Sequence, residues 1–357
     1  MREPTWWYET KPGIVPRLLA PAATLLGGMV RRRFARTTPY RAPVTVICIG
    51  NFTAGGTGKT PLALAVADLV GGLGLSSAFL SRGYGGRVSR PHWVHPERDR
   101  AGDVGDEPLL LAAARPTLIS RDRAAGARAI AAEASAASGT RPAADVIIMD
   151  DGLQNPGLAK DLTIAIVDGA RGVGNGRVMP AGPLRAPLDF QLGLVDAIVV
   201  NRGTGTGMQE GQSDFAANLR HEFEGPVLEA QIIPADASAW LSAGPVVAFA
   251  GIGVPERFFA TLAAIGARTV ATRTFPDHHA FTPADAAGLL ELARTHGAML
   301  VTTEKDRARL AGGAGPLADL HAQARTLPIR LTFDARDEGR LAAIIEGAVV
   351  RRGPRGR

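Results

Sequence analysis

Residues 50–61 read GNFTAGGTGKTP. Gly55, Gly56 and Gly58 let a chain turn backbone N–H groups inward, and such groups at a helix amino terminus cradle phosphate oxygens. Gly58-Lys59-Thr60 is the ending of a P-loop. The Lys59 ammonium would reach the β- and γ-phosphates of a nucleotide, and the Thr60 hydroxyl would hold Mg²⁺. Thr53, Ala54, Gly55, Gly56, Thr57, Gly58, Lys59 and Thr60 are therefore the expected nucleotide-binding stretch. Thr53 stands where the usual pattern has its first glycine, so a strict pattern search passes over it. Such a loop needs an acid from a neighbouring strand to bind the metal, and VIIM followed by Asp150-Asp151 supplies one. These features imply nucleotide hydrolysis or phosphoryl transfer, with Thr60, Asp150 and Asp151 as metal candidates. They do not name an acceptor.

The loop has to hang between a strand and a helix, and the sequence supplies both. Residues 44–50 (VTVICIG) are a short apolar run, and PLALAVADLVGGLG follows as a helix with Pro61 in its first turn. SAFLS (77–81), TLIS (117–120), VIIMD (146–150), LTIAIVD (162–168) and AIVVN (197–201) read as further strands, and the Ala-rich stretch 122–138 as a helix. Strands alternating with helices predict a parallel sheet covered on both faces. The pattern loosens from about residue 202. After 245 a second series begins: strand PVVAFAGIG, helix PERFFATLAAIG, strand RTVATRTF, helix 283–296, strands MLVTT and PIRLTF, and a closing helix over 335–350. The expected organisation is an amino-terminal arm (1–36), a P-loop domain of RecA-like type (37–235) and a smaller α/β domain (236–357).

With 357 residues, 46% hydrophobic and 21% charged, the chain can bury large cores, which excludes disordered and collagen-like classes. The single cysteine, Cys48, cannot form an internal bridge and fits a reducing compartment. Net charge is +6, and residues 1–43 hold the whole excess, with eight cations against two anions. A cationic arm on a balanced body is not a uniformly basic nucleic-acid binder. GTPases are disfavoured because Asp150-Asp151-Gly152 lacks the DxxG spacing and no NKxD is present. Partition-type ATPases carry a lysine where this chain has Ala54.

Within the arm, Trp6-Trp7-Tyr8 precede LLAPAATLLGGMV (18–30) and Arg31-Arg32-Arg33. Thirteen helical residues reach about 20 Å, short of the ~30 Å hydrocarbon core, so a simple span is not expected; nor is a signal peptide, since Glu3 and Glu9 stand at the start, prolines interrupt the run and arginines stand where a cleavage site should be. Leu18, Ala22, Leu25 or Leu26, and Met29 share one helical face. Aromatics at one end and arginines at the other suit an amphipathic helix at the water–lipid boundary. The alternative is a helix packed on its own protein.

Seven motifs in order resemble the tetraacyldisaccharide 4′-kinase (lipid A 4′-kinase) family: GNFTAGGTGKTP (50–61), SRGYGG (81–86), GDEP (105–108), DDGLQN (150–155), GNGRVMPAGPLRAPL (174–188), FPDHHAF (275–281) and TTEKD (302–306). The amino-terminal PTWWY and its helix look like that family too. The resemblance implies ATP- and Mg²⁺-dependent transfer of phosphate to the 4′-hydroxyl of a tetraacylated glucosamine disaccharide 1-phosphate. It places the protein at the cytoplasmic face of the bacterial inner membrane. The lipid precursor and the membrane surface are the expected partners, and no nucleic-acid or protein partner is evident. The rivals are another P-loop small-molecule kinase or ligase, and a basic-armed ATPase binding nucleic acid or a partner protein.

Residue by residue, the resemblance makes Lys59 and Thr60 the phosphate and metal positions, Asp150 and Asp151 the metal-binding acids, Asp106 the catalytic acid, and His278 its partner from the smaller domain. A carboxylate can accept a sugar hydroxyl's proton as bonding to phosphorus develops, and a histidine can orient it. Asp106 could equally cap the helix it begins, and His278 could be a solvated loop histidine or a weak metal site. Arg123 could bind an anionic group or make a surface ion pair. Lys305 could neutralise phosphate or pair with Glu304 or Asp306. Gln154 and Arg185 complete the substrate or phosphate candidates. The chain departs from the family at Leu153, Asn155 and Ala186, where Phe, His and Glu are usual.

Overall fold

The computed structural model describes residues 3–9, 13–133, 143–203, 212–235 and 239–352. In chain order its first part comprises α1 (Ile14–Arg36), β1 (Thr45–Gly50), α2 (Lys59–Gly72), β2 (Ser77–Ser81), β3 (His92–Trp93), α3 (Ala101–Val104), α4 (Asp106–Ala114), β4 (Thr117–Ile119), α5 (Arg123–Glu133), β5 (Val146–Asp150), β6 (Leu162–Asp168), α6 (Leu188–Leu192), β7 (Ala197–Asn201), α7 (Gln212–Glu222) and β8 (Val227–Pro234). There follow β9 (Val246–Ala250), α8 (Pro255–Ala264), β10 (Thr269–Thr274), α9 (Pro283–His296), β11 (Met299–Thr302), α10 (Glu304–Leu310), α11 (Pro316–Gln323), β12 (Arg325–Thr326), β13 (Ile329–Phe333) and α12 (Ala335–Arg352).

The central strands are apolar runs buried along their whole length, as strands covered on both faces must be. They build a nine-stranded sheet in the order β13-β8-β7-β6-β1-β5-β2-β4-β3. Its pairings are parallel except at the two edges, β13 on β8 and β3 on β4. A second sheet, β10-β9-β11-β12, is parallel throughout. The sheet expected to be parallel is thus mixed, through the edge strand β3, which the sequence pattern did not mark, and β13, which it assigned to the second unit.

In the large sheet β1 lies between β5 and β6, with Ile49 beside Asp150 and Gly50 beside Ala165. The chain builds outward from β1 on one side, then returns through β5 and builds on the other. Open α/β sheets bind ligands at the carboxyl ends of the strands where that reversal occurs. The loop after β1 and the acids ending β5 both open there.

The closing strand and helix differ from expectation. PIRLTF reads as part of the second unit, yet β13 pairs with β8, Leu331 opposite Ile232. The helix α12 buries Leu341, Ile345 and Ala348 in the same core as Leu62 and Val66 of α2. The chain therefore crosses back, covering what would otherwise be an exposed edge at β8. The helix expected over 122–138 is described from Arg123 to Glu133, and its remainder lies outside the described residues.

The arm also differs. α1 runs for 23 residues, about 34 Å at 1.5 Å per residue, because it starts before Leu18 and continues through the arginines. Its length and composition suffice to cross a membrane, contrary to the shorter helix expected. One stripe, Pro16, Ala23 and Gly27, is buried on the protein. The opposite face exposes Ile14, Leu18, Leu25 and Met29. A Cβ at Gly27 would lie 3.0 Å from Pro187 Cγ, so glycine permits the close approach. Arg31 pairs with Asp189 at 2.5 Å, and Phe34 meets Phe190 edge to face. Upstream, Glu3 pairs with Arg171 at 2.7 Å, and the Trp7 carbonyl accepts from the Asn175 amide at 2.7 Å. Both ends of the arm are thus fastened to residues 171–190, the segment that also carries Arg185.

Candidate active site

The loop from Gly50 to Gly58 leads into α2, whose first residues, Lys59 and Thr60, are buried. Gly58 has φ +103°, a conformation L side chains rarely adopt, and a Cβ there would meet the Asn201 amide nitrogen at 3.0 Å. That nitrogen donates to the Thr57 carbonyl at 2.9 Å and holds the turn. Thr53 needs no glycine, since its backbone pairs with Leu184 as an isolated β-bridge. Its carbonyl accepts from Arg185 Nε at 3.1 Å and Asn51 Nδ2 at 2.7 Å. The departure from the strict motif is explained by this bracing from the 183–185 segment.

The two adjacent acids separate in role. Asp151 takes a left-handed backbone, φ +50°, and turns to cations. Arg185 Nη1 donates to it at 2.7 Å, and Lys59 Nζ lies 4.0 Å away. Burial opposes its ionisation, but Lys59 and Arg185 outweigh burial and hold the carboxyl down at about 2. Asp150 ends β5 fully buried, with Ser81 Oγ 3.5 Å from Oδ2 and no partner for Oδ1 among the described residues. Burial first, then the negative charges of Glu107 and Asp151, push it up to about 7. Lys59 and Arg123 pull the other way but do not prevail, and the desolvation of Oδ1 is left without a compensating hydrogen bond among the described residues.

Asp106 begins α4 and is 4% exposed. His278 arrives from the loop after β10, and its Nδ1 lies 3.4 Å from Asp106 Oδ2. The His278 backbone is left-handed, φ +56°, a strained conformation that tends to mark functional positions. Tyr84 packs against the His278 ring with centroids 5.4 Å apart. Burial opposes ionisation of Asp106, yet the His278 hydrogen bond and the charges of Arg309 and Lys305 hold it well below the usual carboxylate range. The bond to Asp106 raises His278 in turn. Glu107, next in α4, accepts from Lys305 Nζ at 2.7 Å and also feels the charge of Lys59. The first turn of α4 therefore sits within electrostatic reach of Lys59, with the second sheet's unit closing over it.

The family model for tetraacyldisaccharide-1-P 4′-kinase matches residues 15–349. The chain belongs to that family. It is 49% identical over 355 residues to the tetraacyldisaccharide 4′-kinase of Methylobacterium nodulans, covering 99% of this chain and 97% of that one. It is 47% identical over 356 residues to that of Parvibaculum lavamentivorans, covering 98% and 99%. Among solved structures it is similar to LpxK of Aquifex aeolicus in complex with ATP, with TM-score 0.71, 24% identity, and coverage of 94% of this chain and 100% of that one. The fold of a tetraacyldisaccharide 4′-kinase, a large mostly parallel sheet with a second parallel sheet and a long amino-terminal helix, is thus the fold described above.

The other candidates of this kinase sit as follows. Gln154 donates to the Asn51 carbonyl at 2.9 Å and to Gln191 at 2.8 Å, and Arg185 reaches its carbonyl at 3.5 Å, so it braces the loop. Among the described residues Arg123 makes no surface ion pair. It is 3% exposed and donates to the Ser120 carbonyl at 2.6 Å and the Asp150 carbonyl at 3.4 Å. Burial lowers its pKa to about 10. Lys305 pairs with Glu107 rather than with Glu304 or Asp306. Leu153 is fully buried among Phe52 and Leu184, Asn155 accepts from the Gly157 amide at 2.9 Å, and the Ala186 carbonyl accepts from Gln191 at 2.8 Å. Leu153 and Asn155 thus serve packing and a turn, while Ala186 is buried and nothing in the structure explains the loss of the carboxylate there. Sequence reasoning missed Arg309, which pairs with Asp106. It lies three residues past TTEKD in the same helix, where no spacing signals it.

Proposed function

We propose that this chain transfers the terminal phosphate of ATP to the 4′-hydroxyl of a tetraacylated glucosamine disaccharide 1-phosphate, at the cytoplasmic face of a bacterial inner membrane. The observation that carries the reading is the contact of Asp106 with His278 across two units of the fold, beside the helix that starts at Lys59.

The backbone amides of the 53–60 loop and Lys59 hold the nucleotide's phosphates. Asp106 accepts the proton of the attacking hydroxyl, and His278 orients that carboxylate. Arg185, tied to both the loop carbonyl of Thr53 and Asp151, keeps loop and acid in register. The unpartnered, buried Oδ1 of Asp150 fits a cation, so Asp150 and the Thr60 hydroxyl would hold Mg²⁺, while Asp151 is already committed to Arg185 and Lys59. When bound, the ion offsets charge on the phosphate oxygens. The exposed apolar face of α1, with Arg32, Arg33 and Arg36 exposed at its end, suits insertion among lipids beside anionic headgroups.

The test is transfer of labelled γ-phosphate to purified tetraacyldisaccharide 1-phosphate in mixed micelles. The protein should label the lipid, and Lys59→Ala should not. ATP turnover with no labelled lipid refutes the reading, and turnover stimulated by DNA or RNA favours the basic-armed ATPase.

A further inference from the structure

The two oxygens of Asp106 have different neighbours. Among the described residues Oδ1 accepts a single hydrogen bond, from the adjacent Glu107 amide at 3.0 Å. Oδ2 accepts from Arg309 Nε at 2.8 Å and from Nη2 of the same guanidinium, and faces His278 Nδ1 at 3.4 Å. Arg309 is itself fixed, since Nη1 donates to the Gly251 carbonyl at 2.6 Å and to Asp306 at 2.7 Å. Asp306 accepts in turn from the Gly251 amide at 3.0 Å and the Thr303 hydroxyl at 2.7 Å. The Arg309 and Asp306 side chains are 7% and 0% exposed. A planar guanidinium presenting two donors to one buried oxygen sets an orientation that an ammonium cannot reproduce.

We infer that Arg309 is a positioning residue for phosphoryl transfer: with His278 it pins Asp106 Oδ2 and leaves Oδ1 to take the proton of the attacking hydroxyl. This rests on the role of Asp106 proposed above. In the step, the alcohol O–H bond breaks and its proton moves to Oδ1. The alcohol oxygen forms a bond to the γ-phosphorus. The bond from that phosphorus to the β,γ-bridging oxygen breaks, and its electron pair leaves on ADP. Because phosphoryl transfer asks more for placement than for base strength, a carboxylate held firmly ionised by a guanidinium is well suited. The charged groups facing Asp106 are Arg309, Lys305 and Asp306 from α10, His278 and Asp277 from the loop after β10, and Glu107 from its own helix. Without Arg309, burial is less opposed and the Asp106 carboxyl titrates at higher pH.

Arg309→Met and Arg309→Lys are compared with the wild-type protein in kcat, ATP KM and the pH profile of kcat/KM. Arg309→Met should lower kcat about 100-fold, leave ATP KM unchanged, and move the acid limb to higher pH. Arg309→Lys should keep the acid limb and recover part of kcat. Wild-type kcat and acid limb in Arg309→Met overturn the inference. Should that variant not fold, Arg309→Lys decides. Wild-type kcat overturns the inference, and reduced kcat with unchanged ATP KM and melting temperature supports it. Full transfer by Asp106→Asn sinks the base assignment itself. An inactive Asp106→Asn beside an unaffected Arg309→Met removes only the role of Arg309.

Discussion

Asp150→Asn should stabilise the nucleotide-free, metal-free protein at pH 8 while abolishing transfer. The buried carboxylate has one oxygen without a donor, and burial together with Glu107 and Asp151 raises it to about 7. Its folded value thus lies above its unfolded one. Between pH ~4 and pH ~7 the folded chain holds a proton that the unfolded chain has lost, so stability falls as pH rises through that window. Moving from an ordinary carboxyl value near 4 to about 7 corresponds to a charge penalty of roughly 4 kcal/mol above pH 7. Asparagine carries no such charge. Urea unfolding in chelator at pH 5 and pH 8 reads the difference. The variant should gain about 2–4 kcal/mol on wild type at pH 8 and much less at pH 5. An equal difference at both pH values, or a less stable variant at pH 8, refutes the reasoning.

Three further outcomes follow from the geometry. Arg185→Met frees Asp151 and the Thr53 carbonyl, so the Asp151 carboxyl rises and kcat/KM for ATP should fall by about 10–100-fold in steady-state assays; unchanged kinetics contradict the brace. Replacing Leu18, Leu25 and Met29 together by Ser removes exposed apolar side chains, so melting should hold while vesicle sedimentation shows at least ~100-fold weaker binding; unchanged binding removes the lipid-facing role. Gly27→Leu forces a side chain against Pro187 and should destabilise by about 1–3 kcal/mol in urea, whereas wild-type stability would mean that α1 does not dock there.

Much of this fold was legible because its strands are continuous apolar runs. VTVICIG, VIIMD and AIVVN could hardly be anything but buried strands, and they lie side by side or nearly so in one sheet. What the pattern could not tell was the partner of a strand. PIRLTF reads as a strand wherever it goes, and only packing shows that Leu331 belongs with Ile232 and the α2 core. Val227–Pro234 escaped notice because Glu229 and Gln231 interrupt its apolar residues. The turn before α2 was readable because glycine there answers a backbone need, as the positive φ of Gly55 and Gly58 shows. The division of labour between Asp150 and Asp151 was not, because it depends on a left-handed turn at Asp151 and on Arg185 arriving from 34 residues away. Arg309 lay beyond reach for the same reason. Its contact with Asp106 comes from the meeting of α10 with α4, a juxtaposition that no local spacing encodes.

The most direct measurement is single-turnover transfer from ATP to the lipid acceptor by Asp106→Asn, alongside its ATP affinity. Loss of a general base typically removes 10²–10⁴-fold in rate, so the variant should bind ATP as the wild type does and transfer phosphate at least ~100-fold more slowly. Wild-type transfer by Asp106→Asn, or a loss explained wholly by failure to bind ATP, would contradict the account.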